Sequence, residues 1–252
     1  MISRDDLVAA CDNELQARRF KDYTVNGLQV EGRPRIARLM TGVTASQALV
    51  EAAVAWGADA LLVHHGYFWK NEPVAVTGMK RRRLAALLTH DINLLAYHLP
   101  LDAHVRLGNN AQLAARLGFE VIGCVDGELG EGLLWLGSPP AGLDDRGLAA
   151  RLSVALGREP LLIPGHGGEL SRIAWCTGGA QDMIASAQQA GAQAFISGEI
   201  SERTTHMARE MGISYLAAGH HATERWGIEA LGEWLAETYG IAHRFMDIDN
   251  PA

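Results

Sequence analysis

The sequence predicts an α/β fold made of two similar lobes, each built on a mostly parallel sheet. Apolar segments of strand length alternate with helical segments of about ten residues, which is typical of parallel strands covered by helices on both faces. The order of these segments recurs in the second half of the chain. The length of 252 residues accommodates two lobes of roughly 100–150 residues each.

The first half contains the clearest alternation. Ser3 is a favourable N-cap for a first helix, and Asp5 and Asp6 follow it in the first turn, where acids favour a helix start. A turn at Asn26 leads into an extended piece. Strands are then predicted at 36–43, 58–64 and 93–98, and helices at 46–56, 80–90 and 110–117.

The middle of the chain differs from the first half in composition, and the second half repeats the order of segments seen in the first. Gly-rich and Pro-rich turns surround one strand (133–137) and one helix (145–156), which predicts a connecting segment, 125–165, between a lobe at 1–124 and a lobe at 166–252. Segments near 173, 191 and 213 echo those near 36, 57 and 92. In both halves two successive strand-end residues are 21 positions apart: Val43 and His64, then Cys176 and Ser197.

Composition excludes several classes of function. The net charge is −7, with 22 basic and 29 acidic residues, so nucleic acid is not favoured as a partner. The N-terminus lacks a signal-peptide pattern, and no segment has about 18 uninterrupted apolar residues. We therefore expect a cytoplasmic protein without a membrane partner. Cys11, Cys124 and Cys176 have no CxxC spacing, which argues against disulfides or a thiolate zinc site.

Six of the ten histidines fall in three short clusters, and most of these lie where predicted strands end. Ligands of open α/β sheets bind beyond the carboxyl ends of strands, so we expect these polar residues to meet in a cleft between the lobes. The candidates are His64 and His65 after one strand, His98 and Asp102 after another, and His220 and Glu224 after a third.

The spacing of these residues favours a metal site. His220 and Glu224 are four apart at the start of a predicted helix, on one face, although His221 also shares a face with Glu224. His64 and His65 end an apolar run, and two imidazoles are costly to bury without hydrogen-bond partners. Adjacent side chains of a strand point to opposite faces, so both can face one site only if the strand breaks, as Gly66 permits. His98 is as readily structural as functional. Imidazole plus carboxylate suits Zn, Fe, Mn, Ni or Co, and the number of ligands suits two bridged ions.

Three further residues are candidates for acid–base roles, namely His98, Glu199 and His206. Glu199 occupies the strand end that matches the histidine pair of the first half, and His206 lies on the following helix. The basic run Lys80 to Arg83 favours a solvated helix face over a phosphate site. The turn Thr177 to Ala180 is a weak phosphate-binding signal, and no GxGxxG or Walker sequence is present.

Five motifs resemble the Nif-three-like family, whose members are named GTP cyclohydrolase 1 type 2 homologues. They span most of the chain: Leu62 to Gly66, Ala96 to Ala103, Ala174 to Ala180, Ile196 to Glu199 and Ala218 to Arg225. The resemblance implies two divalent metal ions per chain and a hexameric ring built from dimers. It implies that the ligands are His64, His65, Asp102, His220 and Glu224, and it favours His220 over His221, which stands where the family usually has an aromatic residue.

The resemblance and the residues together favour a metal-dependent hydrolase that acts on a small molecule. The resemblance implies GTP cyclohydrolase-like chemistry, in which a metal-bridging hydroxide attacks a purine ring and opens it. Two alternatives remain open, because a fold and a metal do not fix a substrate. One is a ring-shaped metal-binding scaffold or regulator without turnover, and the other is a metallohydrolase of another nucleotide or a cyclic amide.

Overall fold

Two mixed β-sheets organise the chain, and the computed structural model describes all residues from 1 to 252. The strands are β1 Ile2–Ser3, β2 Gly27–Val30, β3 Arg35–Ile36, β4 Arg38–Thr44, β5 Ala60–His65, β6 Asn93–Ala96, β7 Glu120–Cys124, β8 Trp135–Ser138, β9 Leu161–Ile163, β10 Ile173–Cys176, β11 Ala194–Ser197, β12 Ser214–Ala217 and β13 Ala242–Phe245. The helices are α1 Arg4–Glu14, α2 Gln47–Trp56, α3 Gly78–Thr89, α4 Leu99–Ala103, α5 Asn109–Leu117, α6 Asp145–Leu156, α7 Ile184–Gln189, α8 Glu202–Met211, α9 His220–Thr223 and α10 Arg225–Tyr239.

The first compact unit contains Met1–Leu101 and Gly227–Asp249. Its five-stranded sheet has the order β13-β4-β5-β6-β2, and only the β2–β6 pair is antiparallel. The apolar residues of β5 are fully buried, as expected of a central parallel strand with helices on both faces. The mostly parallel sheet predicted for this half is therefore confirmed.

The second compact unit contains Asp102–Trp226 and Asn250–Ala252. Its six-stranded sheet has the order β7-β8-β10-β11-β12-β9. The three strands β10, β11 and β12 are parallel, but β7, β8 and β9 join antiparallel. The prediction of a mostly parallel sheet is wrong here, because short strands from the middle of the chain extend the sheet at both edges.

The internal echo seen in the sequence corresponds to a repeated topology. Both sheets contain three consecutive parallel strands, β4-β5-β6 in one and β10-β11-β12 in the other, followed by an antiparallel edge strand. The paired residues Leu39 and Ala60 differ by 21 in number, as do Ile173 and Ala194. The predicted offset of 21 positions is therefore the register of two matching strand pairs.

The boundaries between units differ from the predicted ones. Residues 125–165, predicted as a connecting segment, supply β8, α6 and β9 to the second unit. The first unit is formed by two separate stretches of chain, Met1–Leu101 and Gly227–Asp249. The second stretch belongs to it because β13 pairs with β4 at the edge of the first sheet. Neither lobe boundary at 124 or 166 coincides with a boundary of a unit.

Local sequence signals explain where the helices begin and end. Ser3 accepts a hydrogen bond from the Asp6 amide, so the predicted N-cap is confirmed, and Ser46 caps α2 in the same way by accepting from the Leu49 amide. Gly57 ends α2 in the left-handed conformation, with φ at 71°, which glycine adopts without a Cβ penalty. These caps fix the lengths of the connections that lead into the strands.

No helix is both long and apolar enough to cross a membrane.

All three cysteines are free, as predicted. Burial raises the pKa of Cys11 far above its usual range, and it does the same for Cys176, where the charges of Asp102 and Glu224 add to the effect. These thiols stay protonated at neutral pH and are unsuited to bind metal as thiolates.

Candidate metal-binding residues

Three imidazoles of the first unit lie at the carboxyl ends of neighbouring strands, and we call them the histidine cluster: His64, His65 and His98. The ring centroids of His64 and His65 are 4.5 Å apart, and those of His98 lie 5.2 and 5.7 Å from them. One ring nitrogen from each lies within 4.8 Å of the others. His65 is still the last residue of β5, so the strand does not need to break before both rings come together.

In each imidazole of the histidine cluster, Nδ1 lies within hydrogen-bonding distance of an oxygen atom of the protein. His64 Nδ1 lies 2.9 Å from the Tyr97 carbonyl oxygen, and His98 Nδ1 lies 3.0 Å from Asp22 Oδ1. His65 Nδ1 lies 3.3 Å from Thr44 Oγ1. Carbonyl and carboxylate oxygens accept, so Nδ1 donates in the first two pairs. This is the arrangement found behind metal-binding histidines.

Asp22 holds His98 in a buried setting. Burial alone raises the pKa of this carboxyl, but hydrogen bonds from His98 and Asn26 lower it to about 2. The other oxygen of Asp22 accepts from the Leu99 amide, so the carboxylate fixes both the ring and the start of α4. No spacing in the sequence connects residue 22 with residue 98, so this contact is not predictable from the sequence alone.

Four polar residues of the second unit form what we call the acid–histidine cluster: Asp102, Glu199, His220 and Glu224. His220 Nε2 lies 3.2 Å from Glu224 Oε2, and His220 Nδ1 lies 2.7 Å from Glu199 Oε1. The predicted proximity of His220 and Glu224 is confirmed. The helix is interrupted between them, because α9 ends at Thr223 and Glu224 lies outside it, with φ at −111°.

The acid–histidine cluster concentrates buried negative charge. Asp102 is 6 % exposed and Glu224 is 2 % exposed, and an oxygen of each lies within 4.8 Å of the other. Asp102 Oδ1 accepts hydrogen bonds from Asn109 and Thr177. Burial lowers the pKa of His220, but hydrogen bonds and charges from Glu224 and Glu199 more than offset this and raise it to about 9. The cluster therefore attracts a cation.

Glycine turns make room for the acid–histidine cluster. Gly178 has φ at +69°, and a Cβ there would collide with Glu224 Oε1 and lie 3.1 Å from His220 Nε2. A Cβ at Gly198 would lie 2.6 Å from the Cα atom of His220. The weak phosphate-turn signal at residues 177–180 therefore has a different explanation here, since the glycines admit the side chains of His220 and Glu224.

The other predicted candidates lie elsewhere in the structure. His206 is on α8, 62 % exposed, and pairs with Glu202 at 3.3 Å, so the structure does not group it with the acid–histidine cluster. The backbone amide of His221 donates to the Ala252 carbonyl oxygen. Lys80 contacts Glu72 and the ring of Phe68, whereas Arg81 and Arg82 are exposed, as expected of a solvated helix face.

These residues fit divalent metal ions by three criteria. The imidazoles are oriented through Nδ1, two carboxylates are buried close to one another, and the glycine turns leave space beside them. Buried like charges at such distances are unfavourable without a cation. The fold and the site thus define an α/β protein whose strand ends carry a His/Glu group able to hold a metal ion.

The chain belongs to the Duf34/NIF3 (NGG1p interacting factor 3) family, whose model matches residues 2–251. It is 58 % identical over 252 residues to the GTP cyclohydrolase 1 type 2 homolog of Yersinia pestis, covering 98 % of each chain. It is 52 % identical over 248 residues to the protein of the same name from Escherichia coli K12, again covering 98 % of each chain. The family predicted from five motifs is confirmed.

Solved structures agree with the fold. A protein described as ybgI, of unknown function, matches with a TM-score of 0.96 and 50 % identity over the full length of both chains. TTHA1606 from Thermus thermophilus matches with a TM-score of 0.89 and 32 % identity over the same coverage. Reduced HcgD from Methanocaldococcus jannaschii has a TM-score of 0.86 at 20 % identity, over 98 % of each chain, which supports the fold alone.

Proposed function

We propose that the protein is a metal-dependent hydrolase that binds two divalent ions through His64, His65, Asp102, His220 and Glu224. The observation that carries this proposal is that strand ends of the chain present both imidazoles oriented through Nδ1 and buried carboxylates. Imidazole and carboxylate ligands suit Zn, Fe, Mn, Ni or Co. Bound divalent ions supply a Lewis acid and lower the pKa of water, which is the chemistry of hydrolysis.

The protein's own groups have separable roles in this proposal. Asp22 orients His98 and Glu199 orients His220, each through Nδ1, as carboxylates do behind metal-binding histidines. His98 Nε2 is the atom at which a proton would be accepted from, or returned to, the substrate. Glu199, with its side chain 46 % exposed, is the second candidate for proton transfer. We do not assign such a role to His206.

The substrate class in this proposal is a purine nucleotide. It comes from the name shared by the curated relatives, GTP cyclohydrolase 1 type 2 homolog. Hydrolysis at C8 of guanine breaks a C–N bond of the imidazole ring, and a second water releases C8 as formate. The polar environment of the acid–histidine cluster supports hydrolysis of a polar substrate in general, so the same site chemistry also suits another nucleotide or a cyclic amide.

Release of formate from GTP tests the proposal directly. The chain is purified without chelators, its metals are identified by elemental analysis, and it is reloaded separately with Zn, Fe, Mn, Ni and Co. We expect formate release with at least one metal and none after chelation. If no metal supports formate release, the GTP reaction is excluded, and a screen of other nucleotides and cyclic amides with the best-bound metal decides whether hydrolysis of any kind remains.

A second candidate function is a metal-binding scaffold or regulator without turnover, assembled as a hexameric ring of dimers. The family description favours it, because the words NGG1p interacting factor name an interaction and not a reaction. A His64→Ala plus Glu224→Ala double variant separates the two. Loss of metal with retained cellular function and retained assembly mass, measured by light scattering, supports the scaffold, whereas matched loss of metal and cellular function supports the hydrolase.

A further inference from the structure

Two aromatic side chains of the first unit form a surface beside the histidine cluster, and we call this pair the aromatic platform: Tyr23 and Trp69. Their ring centroids are 5.8 Å apart and their planes are inclined by 37°. Tyr23 is 53 % exposed, and Trp69 is partly buried. By contrast, the neighbouring rings of Tyr67 and Phe68 pack against the apolar core of the unit. Packing in the core therefore explains why Tyr67 and Phe68 are aromatic. It does not explain why a large aromatic side chain is exposed at Tyr23.

Hydrogen bonds fix the two loops that carry the aromatic platform. The Lys70 amide donates to the Tyr23 carbonyl oxygen at 2.8 Å, which joins one loop to the other. Trp69 Nε1 donates to the Gly66 carbonyl oxygen at 3.2 Å, and Thr24 Oγ1 donates to the Tyr67 carbonyl oxygen, also at 3.2 Å. The rings are thus presented in a preformed arrangement, which lowers the entropic cost of binding a ligand.

The aromatic platform adjoins imidazoles that the proposed function uses. The His98 ring lies edge-on to both members, with centroid distances of 5.0 Å to Tyr23 and 5.1 Å to Trp69. The His65 ring is 5.9 Å from the Trp69 ring. The aromatic platform therefore borders directly on two of the imidazoles at the carboxyl ends of the strands.

We propose that Tyr23 and Trp69 bind a planar heteroaromatic ring of the substrate by stacking, and so select ring-bearing substrates over aliphatic ones. A separation of 5.8 Å is too short for a ring to insert between the two, because two stacked contacts need about 7 Å. The ligand ring therefore lies on the exposed face of the pair. Aromatic side chains stack on any nucleobase, because every base has a π-face. Stacking therefore selects for the presence of a ring, and other groups of the protein must recognise the substituents of that ring. This inference rests on the proposed hydrolase function and specifies its substrate class.

Equilibrium binding to the metal-loaded protein tests the aromatic platform apart from turnover. The probes are GTP, ATP and CTP, with inorganic triphosphate as the ligand that keeps the anionic charge but lacks a ring. Calorimetry gives the affinities, and quenching of tryptophan fluorescence reports ring contact. We expect the nucleotides to bind more tightly than triphosphate. We also expect Tyr23→Leu and Trp69→Leu each to weaken nucleotide binding by at least about fivefold, as removal of a stacking ring does.

Two control variants keep the result interpretable. Tyr23→Phe retains the ring and should bind within about twofold of the parent protein. Trp56→Phe changes a tryptophan whose carbonyl oxygen accepts from Arg38 at the first residue of β4, at the opposite end of the strands from the histidine cluster. Metal content, measured on each variant, should be unchanged. A drop in metal for Trp69→Leu would leave Tyr23→Leu as the deciding variant, since its side chain is the more exposed.

The outcomes separate this inference from the proposed function. Ring-dependent binding that Tyr23→Leu weakens, without turnover of any nucleotide, supports the platform and removes nucleotide hydrolysis as the function. Turnover with an unchanged KM in both leucine variants supports the hydrolase and overturns the platform. Equal affinity for GTP and triphosphate, or no nucleotide binding at millimolar concentration, also overturns it. If the platform acts in binding, KM should rise in the leucine variants while kcat changes less.

Discussion

The two units carry matching parallel strands, yet their strand ends present opposite chemistry. In the first unit, β5 ends in His64 and His65, whereas β11 of the second unit ends in Ser197 and leads through a glycine to Glu199. The first unit thus contributes imidazoles oriented by hydrogen bonds. The second contributes the buried carboxylates of Asp102 and Glu224 and a single imidazole, His220, which contacts Glu224 and the more exposed Glu199. A repeated topology fixes where polar residues emerge, and it leaves their charge to the local sequence.

This difference predicts that metal affinity depends more on the carboxylates than on any one imidazole. Glu224→Gln keeps the shape of the side chain but removes a buried charge. Losing one partner of a buried ionic contact costs about 3–5 kcal/mol, or two or more powers of ten in affinity. We expect metal content, measured by elemental analysis after dialysis, to fall to near zero in Glu224→Gln and to fall less in His65→Gln.

The control for the carboxylate prediction is Glu202→Gln, which changes a glutamate with a 91 % exposed side chain on α8. Its metal content should equal that of the parent chain. Equal losses in His65→Gln and Glu224→Gln would show that charge does not distinguish the two clusters.

A second prediction compares the carboxylates that orient an imidazole in each unit. Asp22→Asn acts on His98, and Glu199→Gln acts on His220. Glu199→Gln should lower metal affinity roughly 10–100-fold, the usual effect of losing such a partner of a ligand, whereas Asp22→Asn acts on a residue outside the proposed ligand set and should change metal affinity much less. Only Asp22→Asn should lower the free energy of unfolding, by about 1–2 kcal/mol, because its buried carboxylate accepts from several donors.

Titration with a chromophoric chelator and urea unfolding measure the two effects of this comparison. A metal affinity that falls as far in Asp22→Asn as in Glu199→Gln would mean that His98 is a metal ligand, which would contradict its proposed role in proton transfer.

A third prediction concerns the glycine turn that accommodates Glu224. Gly178→Ala introduces both an unfavourable left-handed backbone and a collision with the carboxylate. Gly212→Ala is the matched control, because Gly212 has φ at +67° but no atom within 4 Å of the added Cβ. The backbone term alone is worth about 1 kcal/mol. Urea unfolding should therefore show a larger loss in Gly178→Ala, and only that variant should lose metal.

The smallest expected effect is a pH dependence confined to the first unit. Burial lowers the pKa of His243 to about 4, and its Nε2 lies 2.8 Å from Thr41 Oγ1. Because the folded-state pKa lies below the ordinary value of about 6.5, stability is fully present above pH 6.5 and is lost as the pH falls toward 4. Allowing for partial exposure, we expect a loss of about 1 kcal/mol.

The His243 contribution is measured as the difference in unfolding free energy between the parent chain and His243→Gln across that pH range. His206→Gln, in the second unit and exposed, serves as the control. Parallel pH profiles for the parent chain and His243→Gln would contradict the prediction.

Much of the fold follows from local signals in the sequence, and the failures have identifiable causes. The apolar run before His64 predicts a central strand and the cap at Ser3 predicts the first helix, because burial and capping act within a few residues. The edge strand β13 has no such signal, since its four residues alternate between exposed and partly buried. Its return to the first sheet is a long-range pairing, and so the unit boundaries were not predictable.

The residues of the candidate site also fall into those that are visible in the sequence and those that only the fold brings together. His64, His65, His220 and Glu224 stand out because clustered histidines and an i,i+4 pair are visible along the chain. Asp22 and Asn109 act on His98 and Asp102 through contacts that only the fold creates. His206 was a candidate because it follows β11, and it lies on the exposed side of α8 beside Glu202.

The late position of β13 has a consequence for biosynthesis. Every strand of the second sheet lies between residues 120 and 217, whereas the first sheet lacks its edge strand until residue 245 has been added. A ribosome builds the chain from its N-terminus, so the first unit begins synthesis earlier and has its complete set of strands later. During that interval the β4 edge remains open, and open edges are where nascent chains associate incorrectly.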